Sequence, residues 1–214
     1  MKKLPISVYF IACNEEERIE RALKAVVEWA DEVIVVIDTK CNDKTKEISE
    51  SYGAKVIVNE WKGFAMQKSF ASKQCKNDWV LDLDADEEVS EDLQIKLYDL
   101  FAKELPKYSA FNMTWKVMYP GQEVPTKHSH TDIIIRLYNR KFAAIKELEF
   151  SNHDRPQVSE GKVGFISEPV YHRTILSFSH LEKKNTQLTL EQAIANVNSN
   201  KKISSLKFYT DFPV

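Results

Sequence analysis

The residues best placed to do chemistry lie in Trp79-Val80-Leu81-Asp82-Leu83-Asp84-Ala85-Asp86-Glu87. Apolar residues lead into three carboxylates spaced two apart. A strand alternates its faces, so Asp82 and Asp84 point one way and Leu81 and Leu83 the other. Carboxylates this dense cannot be buried unpaired, so the strand must end near Asp84. A buried strand would thus deliver carboxylate oxygens to its C-terminal end, where open α/β sheets bind ligands. A hard divalent cation, with the diphosphate it neutralises, suits such a cluster. A calcium loop starting at Asp82 does not fit. Its sixth position is Glu87 where glycine is needed, and its twelfth is Leu93 where glutamate is needed.

Other candidates are weaker alone. His128 and His130 flank Ser129 at a metal-like spacing, but no partner pattern supports them, and a loop is the plainer reading. Lys68 reads equally well as a solvated helix lysine, and Arg136 as a structural ion-pair partner. The three cysteines, Cys13, Cys41 and Cys75, are odd in number and lack metal spacing, which reads as reduced thiols of a cytosolic protein.

The elements that must position the acidic cluster read as follows. Ile6 to Ala12 is a buried strand. Asn14 then suits a helix N-cap, with Glu17 completing a capping box, and Ile19, Ala22, Leu23, Val26 and Ala30 recur at helical spacing for about four turns. Val33 to Ile37 is a second buried strand, closed by Asp38. Asp43 caps a helix through Ser51, with Gly53 just past its end. Lys55 to Val58 is a third strand, Phe64 to Gln74 a third helix, and Trp79 to Leu83 a fourth strand. This alternation means parallel strands and right-handed crossovers. The segment Ile11-Ala12-Cys13-Asn14 has no glycine, against a nicotinamide or flavin site.

Ser90 caps a helix to about Glu104, with Glu91 and Asp92 in its first turn. The period then changes. Ala110 to Met118, Ile133 to Tyr138, and Val163 to Ile166 with Val170 to His172 read as strands. Ser179 and Glu182 form a capping box for a final helix to about Asn198, followed by a Lys-rich tail.

The 214 residues, 43% hydrophobic, suffice for one domain with a proper core. No run reaches the roughly 18 apolar residues of a membrane span. The first dozen residues could pass for a short signal peptide, but Pro5 and the acidic run from Glu15 favour a strand. Charge is uneven: residues 1–102 carry 14 basic and 21 acidic side chains, the remainder 16 and 11. The acidic half suits a metal. The basic half suits an anionic partner, such as a phosphorylated acceptor or a membrane surface. Nothing points to nucleic acid.

Four segments in order carry a resemblance: Asn14-Glu15-Glu16-Glu17-Arg18-Ile19, Val35-Val36-Ile37-Asp38 with Asp43 beyond, Trp61-Lys62-Gly63-Phe64-Ala65-Met66-Gln67-Lys68, and Leu83-Asp84-Ala85-Asp86-Glu87. Together they resemble family 2 glycosyltransferases of the GT-A fold, nearest to the branch that adds sugars to the lipopolysaccharide inner core. The likeness covers nearly the whole chain. It implies a single α/β domain with a Rossmann-like nucleotide-binding half, 1–104, an acceptor-binding half, 105–178, and a C-terminal helix and tail, 179–214, around a mixed central sheet.

It further implies inverting transfer from a nucleotide-sugar, usually a UDP-sugar, to a glycolipid or oligosaccharide acceptor with Mg²⁺ or Mn²⁺. Glu15, Asp38, Lys68 and Asp84 would hold the nucleotide-sugar. Asp84 and Asp86 form the Asp-x-Asp motif and, with His172, would hold the metal. Arg136, in an Arg-Leu-Tyr-Asn-Arg stretch, and His153 would contact the acceptor. Asp154 falls where the family has the carboxylate of a His-Glu pair and would be the catalytic base, one methylene shorter. The family's glycine after Asp38 is absent. The implied location is cytoplasmic, with peripheral contact at an anionic membrane. A nucleotidyltransferase of the same fold would need a Gly-rich basic loop after the first strand, and none is present; the rival that stays open is a non-catalytic nucleotide-sugar-binding or scaffold protein of the same fold.

Overall fold

A computed structural model describes residues 2–102, 107–147 and 154–175, together with positions 177, 179, 182 and 186. The chain divides into two compact units, 1–118 with 123–174, and 119–122 with 175–214. The first holds every element described below.

Its elements are β1 (Leu4–Ala12), α1 (Ile19–Lys24), β2 (Ala30–Asp38), α2 (Thr45–Ser51), β3 (Lys55–Asn59), α3 (Phe64–Gln74), β4 (Trp79–Asp84), β5 (Glu87–Val89), α4 (Glu91–Phe101), β6 (Ala110–Val117), β7 (Thr131–Asn139), β8 (Ala143–Ile145), β9 (Pro156–Val158) and β10 (Val163–His172). Eight of the described strands form one sheet in the order β3-β2-β1-β4-β7-β6-β10-β5, and β8 pairs with β9 apart from it. The ladder is parallel from β3 to β4 and again between β6 and β10. It is antiparallel at β4–β7, β6–β7 and β10–β5. The sheet is therefore mixed, as the sequence implied, and runs unbroken through both halves.

β1 from Ile6 onward and β2 from Val33 onward are buried on both faces, which is why those stretches are apolar apart from Ser7 and Asp38. On one face Val8, Phe10, Val35, Leu81 and Leu83 pack with Ile19 and Leu23 of α1 and with Leu93 and Leu97 of α4. On the other, Tyr9, Ile11, Val36 and Tyr138 pack with Ala71 of α3. Helix α3 differs from an ordinary amphipathic helix because it also buries Gln67, Lys68, Ser69 and Ser72. The sheet beneath it is polar there: Tyr138 Oη donates to Ser72 Oγ at 3.0 Å, and Gln67 pairs with Asn59.

Several expectations are corrected. The first helix is only Ile19–Lys24, not four turns from Asn14. Asn14 sits at φ 57°, a left-handed conformation, and its side chain accepts from Asn42 N at 3.0 Å instead of capping. The second strand starts before Val33, at Ala30, and takes in Asp31 and Glu32. Asp43 does bind the start of α2, accepting from Thr45 N, but one residue outside the cap. β10 is one strand rather than two. It accommodates Pro169, which has no N–H to donate, by a register shift between Ile166 and Val170. α4 starts as expected, with Leu93 N donating to Ser90 Oγ at 3.2 Å. The predicted C-terminal helix lies, apart from isolated positions, outside the described residues. No helix among the described residues is long and apolar enough to cross a membrane.

Candidate active site

Strand β4 lies in register with β1 so that Asp82 sits beside Tyr9, on the face covered by α3. Alternation sends Asp84 the same way. On the far side β4 pairs with β7 only from Trp79 to Leu81. Beyond that the strands part, and two cations fill the gap. Lys68 of α3 is fully buried, with its Nζ 2.9 Å from Asp84, 3.0 Å from Asp154 and 3.4 Å from Asp82. Arg136 of β7 lies 2.6 Å from Glu87, 3.0 Å from Asp84 and 3.4 Å from Asp82. Arg136 is the extra residue of a bulge: Leu137 faces Phe111 and Ile135 faces Asn112. The bulge turns its side chain toward β4.

The buried charges set one another. Burial drives Asp84 upward, but Lys68 and Arg136 outweigh it and hold that carboxyl well below its usual range. Burial also favours a neutral Lys68, yet three carboxylates keep its ammonium charged. Glu87 has no exposed surface; burial pushes it up to about 8 against the pull of Arg136. Its side chain folds back to accept from Asp84 N at 3.0 Å, which closes the turn between β4 and β5.

Asp86 stands at the tip of that turn. Its Oδ2 is 3.2 Å from His172 Nε2 and 3.6 Å from Arg18. His172 stacks on Trp115, ring centres 4.0 Å apart and planes 23° apart. His172 Nδ1 and Trp115 Nε1 are both buried without a hydrogen-bond partner. Glu15 pairs with Arg18 at 2.6 Å, and burial pushes its carboxyl up to about 7 against that pairing. Asp38 closes β2, its Oδ1 accepting from Trp61 N at 3.3 Å and Thr39 Oγ1 at 3.2 Å. The loops after β1 and β2 are tied together by Glu15 N donating to Thr45 Oγ1 and Glu16 N donating to Asp43 Oδ2.

Thus Asp84, Asp86, Lys68, Arg136, His172 and Asp154 converge, with Glu15 joined through Arg18. Asp38 sits at the neighbouring strand end. Arg136, expected to contact the acceptor, is instead buried against carboxylates. Lys68 is no solvated helix lysine. His153 lies outside the described residues. Sequence reasoning passed over Glu87, Arg18 and Trp115. Nothing in their spacing distinguishes them from ordinary helix or strand residues, and only the topology brings them in. An open cleft of about 120 Å³ adjoins the cluster, bounded by Asp82, Trp115, Asp132, Ile134, Arg136 and Asp154.

No three His, Cys, Asp or Glu side chains among the described residues converge as a ready-made metal group. Asp86 and His172 nevertheless fit a shared cation. Their 3.2 Å separation is near the roughly 3 Å expected of neighbouring ligands in an octahedron with bonds of about 2.1 Å. Asp84 has both oxygens turned to Lys68 and Arg136.

Carboxylates gathered at the C-terminal ends of parallel strands, paired with buried cations, define an α/β protein whose candidate site lies where open sheets bind ligands. The chain matches the model of glycosyl transferase family 2 over residues 7–159 and belongs to that family. An uncharacterized glycosyltransferase of Rickettsia typhi is 38% identical across 99% of this chain and 74% of its own length. A lipopolysaccharide core biosynthesis glycosyltransferase of Rhizobium meliloti, LpsC, is 32% identical over 47% of this chain and 38% of its own.

Among solved structures, Staphylococcus aureus TarS in complex with UDP-GlcNAc superimposes with a TM-score of 0.56 at 18% identity. That match covers 81% of this chain and 59% of TarS, so the chain spans somewhat over half of that structure. Glucosyl-3-phosphoglycerate synthase of Mycobacterium tuberculosis, in complex with Mn²⁺, UDP and glucosyl-3-phosphoglycerate, gives 0.50 at 17% identity, covering 80% of this chain and 72% of that one. The fold is the GT-A glycosyltransferase fold.

Proposed function

We propose that this glycosyltransferase moves a sugar, with inversion, from a UDP-type donor to a hydroxyl of a cell-envelope glycolipid such as a lipopolysaccharide core. The observation that carries the reading is the Asp84–Asp86 turn, held at the strand end by Lys68, Arg136 and His172. Structural neighbours hold UDP or UDP-GlcNAc, and one holds Mn²⁺. The partial likeness to LpsC supports a lipopolysaccharide acceptor.

In this reading Asp38 and Glu15 hold the nucleoside, at the ends of β2 and β1. Asp86 and His172 hold Mg²⁺ or Mn²⁺, and Asp84 lies behind them. A bound cation stabilises the negative charge that develops on the leaving diphosphate. Arg18, next to Asp86, adds positive charge to the same place. The acceptor enters the cleft lined by Trp115, Asp132, Ile134, Arg136 and Asp154. Its hydroxyl oxygen attacks the anomeric carbon, the bond to the diphosphate oxygen breaks, and Asp154 takes the hydroxyl proton. The protein would work on the cytoplasmic side of the membrane, in peripheral contact with anionic lipid. Liposome flotation should then show salt-sensitive binding to acidic vesicles alone.

The direct test is a thermal-shift panel of nucleotides and nucleotide-sugars with Mn²⁺, followed by transfer from the stabilising donor to lipopolysaccharide core acceptors. UDP compounds should raise the melting temperature, since a ligand that binds only the folded state stabilises it. Asp86→Asn should abolish the Mn²⁺-dependent part. A flat response to every nucleotide-sugar would overturn the proposal.

A further inference from the structure

Lys68 has an unusual position for a residue expected to contact the donor. Its side chain has no exposed surface, so a nucleotide in the open cleft cannot reach it without moving the carboxylates above it. A buried ammonium is costly unless it is paired. Here it is paired with carboxylates from two regions of the chain. Asp82 and Asp84 come from β4, in the nucleotide-binding half. Asp154 comes from the segment entering β9, in the acceptor-binding half. The two short contacts are nearly equal, 2.9 Å to Asp84 and 3.0 Å to Asp154. Neither Lys68 Nζ nor the Asp82 oxygens make a well-formed hydrogen bond. The ammonium thus reaches one carboxylate from each region at ion-pair distance.

We propose that Lys68 is a positioning residue, an internal clamp that ties the acceptor-side carboxylate of Asp154 to the donor-side carboxylate of Asp84 and so sets where the base stands relative to the donor. This rests on Asp154 being the base. It goes further in assigning Lys68 to the base rather than to the nucleotide. A plain core staple would stabilise the fold without acting through Asp154. A nucleotide contact would act on donor binding.

A double-mutant cycle on purified protein separates these roles. Lys68→Met, Asp154→Asn and the double variant are compared for kcat, donor KM and melting temperature. Each single change should lower kcat by about a hundredfold, the scale of a lost general base. The double should be no slower than Asp154→Asn alone, because residues that act as a unit are not additive. Donor KM should change by less than kcat does. Lys68→Arg keeps the charge and should recover part of the lost kcat. Should Lys68→Met fail to fold, the cycle is run with Lys68→Arg. A double variant losing the product of both effects would overturn the clamp and leave the base intact. So would a Lys68→Met effect confined to donor KM. Wild-type kcat in Asp154→Asn would remove the base itself, and the clamp with it.

Discussion

The four strands β3, β2, β1 and β4 and the four strands β7, β6, β10 and β5 make one sheet but solve different problems. The first group is parallel, and its chemical groups are acids at strand ends: Glu15, Asp38, Asp84 and Asp86. The second group mixes directions and supplies mostly cationic or neutral partners, Arg136 from β7 and His172 from β10. Asp82 of the first group, almost fully buried, is close to Arg136, which also pairs with Asp84 and with Glu87 of β5. Without the second group the first would bury more negative charge than Lys68 alone could balance. The second group is thus the electrostatic counterpart of the first: Arg136 balances carboxylates that the first group buries.

That comparison breaks most directly at Arg136. Arg136→Met keeps volume and removes charge, leaving Asp82, Asp84 and Glu87 to Lys68. Removing one partner of a buried ion pair costs about 3–5 kcal/mol. The expected result is a fall in melting temperature on the order of 10 °C, read by calorimetry, for a domain of this size. A fall of only a degree or two would mean that the acidic half neutralises itself.

The first group was the more legible in sequence for a local reason. Its signals, apolar runs and helical periodicity, are short-range, and α3 spans Phe64–Gln74 as expected. The acidic spacing at Asp84 and Asp86 was equally visible. What was hidden depends on contacts across the chain. β5 is Glu87–Val89, three residues, two of them acidic, and it is a strand only because β10 pairs with it. Lys68 looked like a helix lysine because the face of α3 that it occupies is polar yet buried. Arg136 could be seen as a charge on a strand, but not as the bulged residue of β7. α1 starts later than its capping signal implied because Asn14 is spent joining two loops.

A sharper comparison of the halves comes from Trp115, which links β6 to His172 of β10 by stacking. Trp115→Leu keeps an apolar side chain and removes the aromatic face. Such stacks are worth about 0.5–1.5 kcal/mol beyond burial. If the stack orients His172 toward Asp86, the variant should lose up to about tenfold in transfer rate, since about 1.4 kcal/mol is one decade. The loss should appear in the dependence of rate on Mn²⁺ concentration. An unchanged metal dependence would make Trp115 a packing residue alone.

The smallest effect is expected where the second group of strands differs most from the first. Phe10 on β1 has no exposed surface, whereas Phe165 on β10 is 57% exposed, close to Ile133 at 55% and Val163 at 40%. Register places Phe165 beside Asn112 of β6, and Asn112 beside Ile135 of β7. β10 and β7 therefore turn apolar side chains to solvent, while β1 is buried from Ile6 to Ala12. Phe165→Ser should change unfolding free energy by no more than about 0.5 kcal/mol, the usual range for a surface site. The same substitution at Phe10 should cost several kcal/mol, because it empties a packed site of about the size that makes Phe→Ala cost 3–5. Urea unfolding of both variants measures the pair. A Phe165 cost approaching that of Phe10, growing with protein concentration, would show that the second half buries these side chains against another copy of the chain, and that the two halves differ less in burial than the isolated chain suggests.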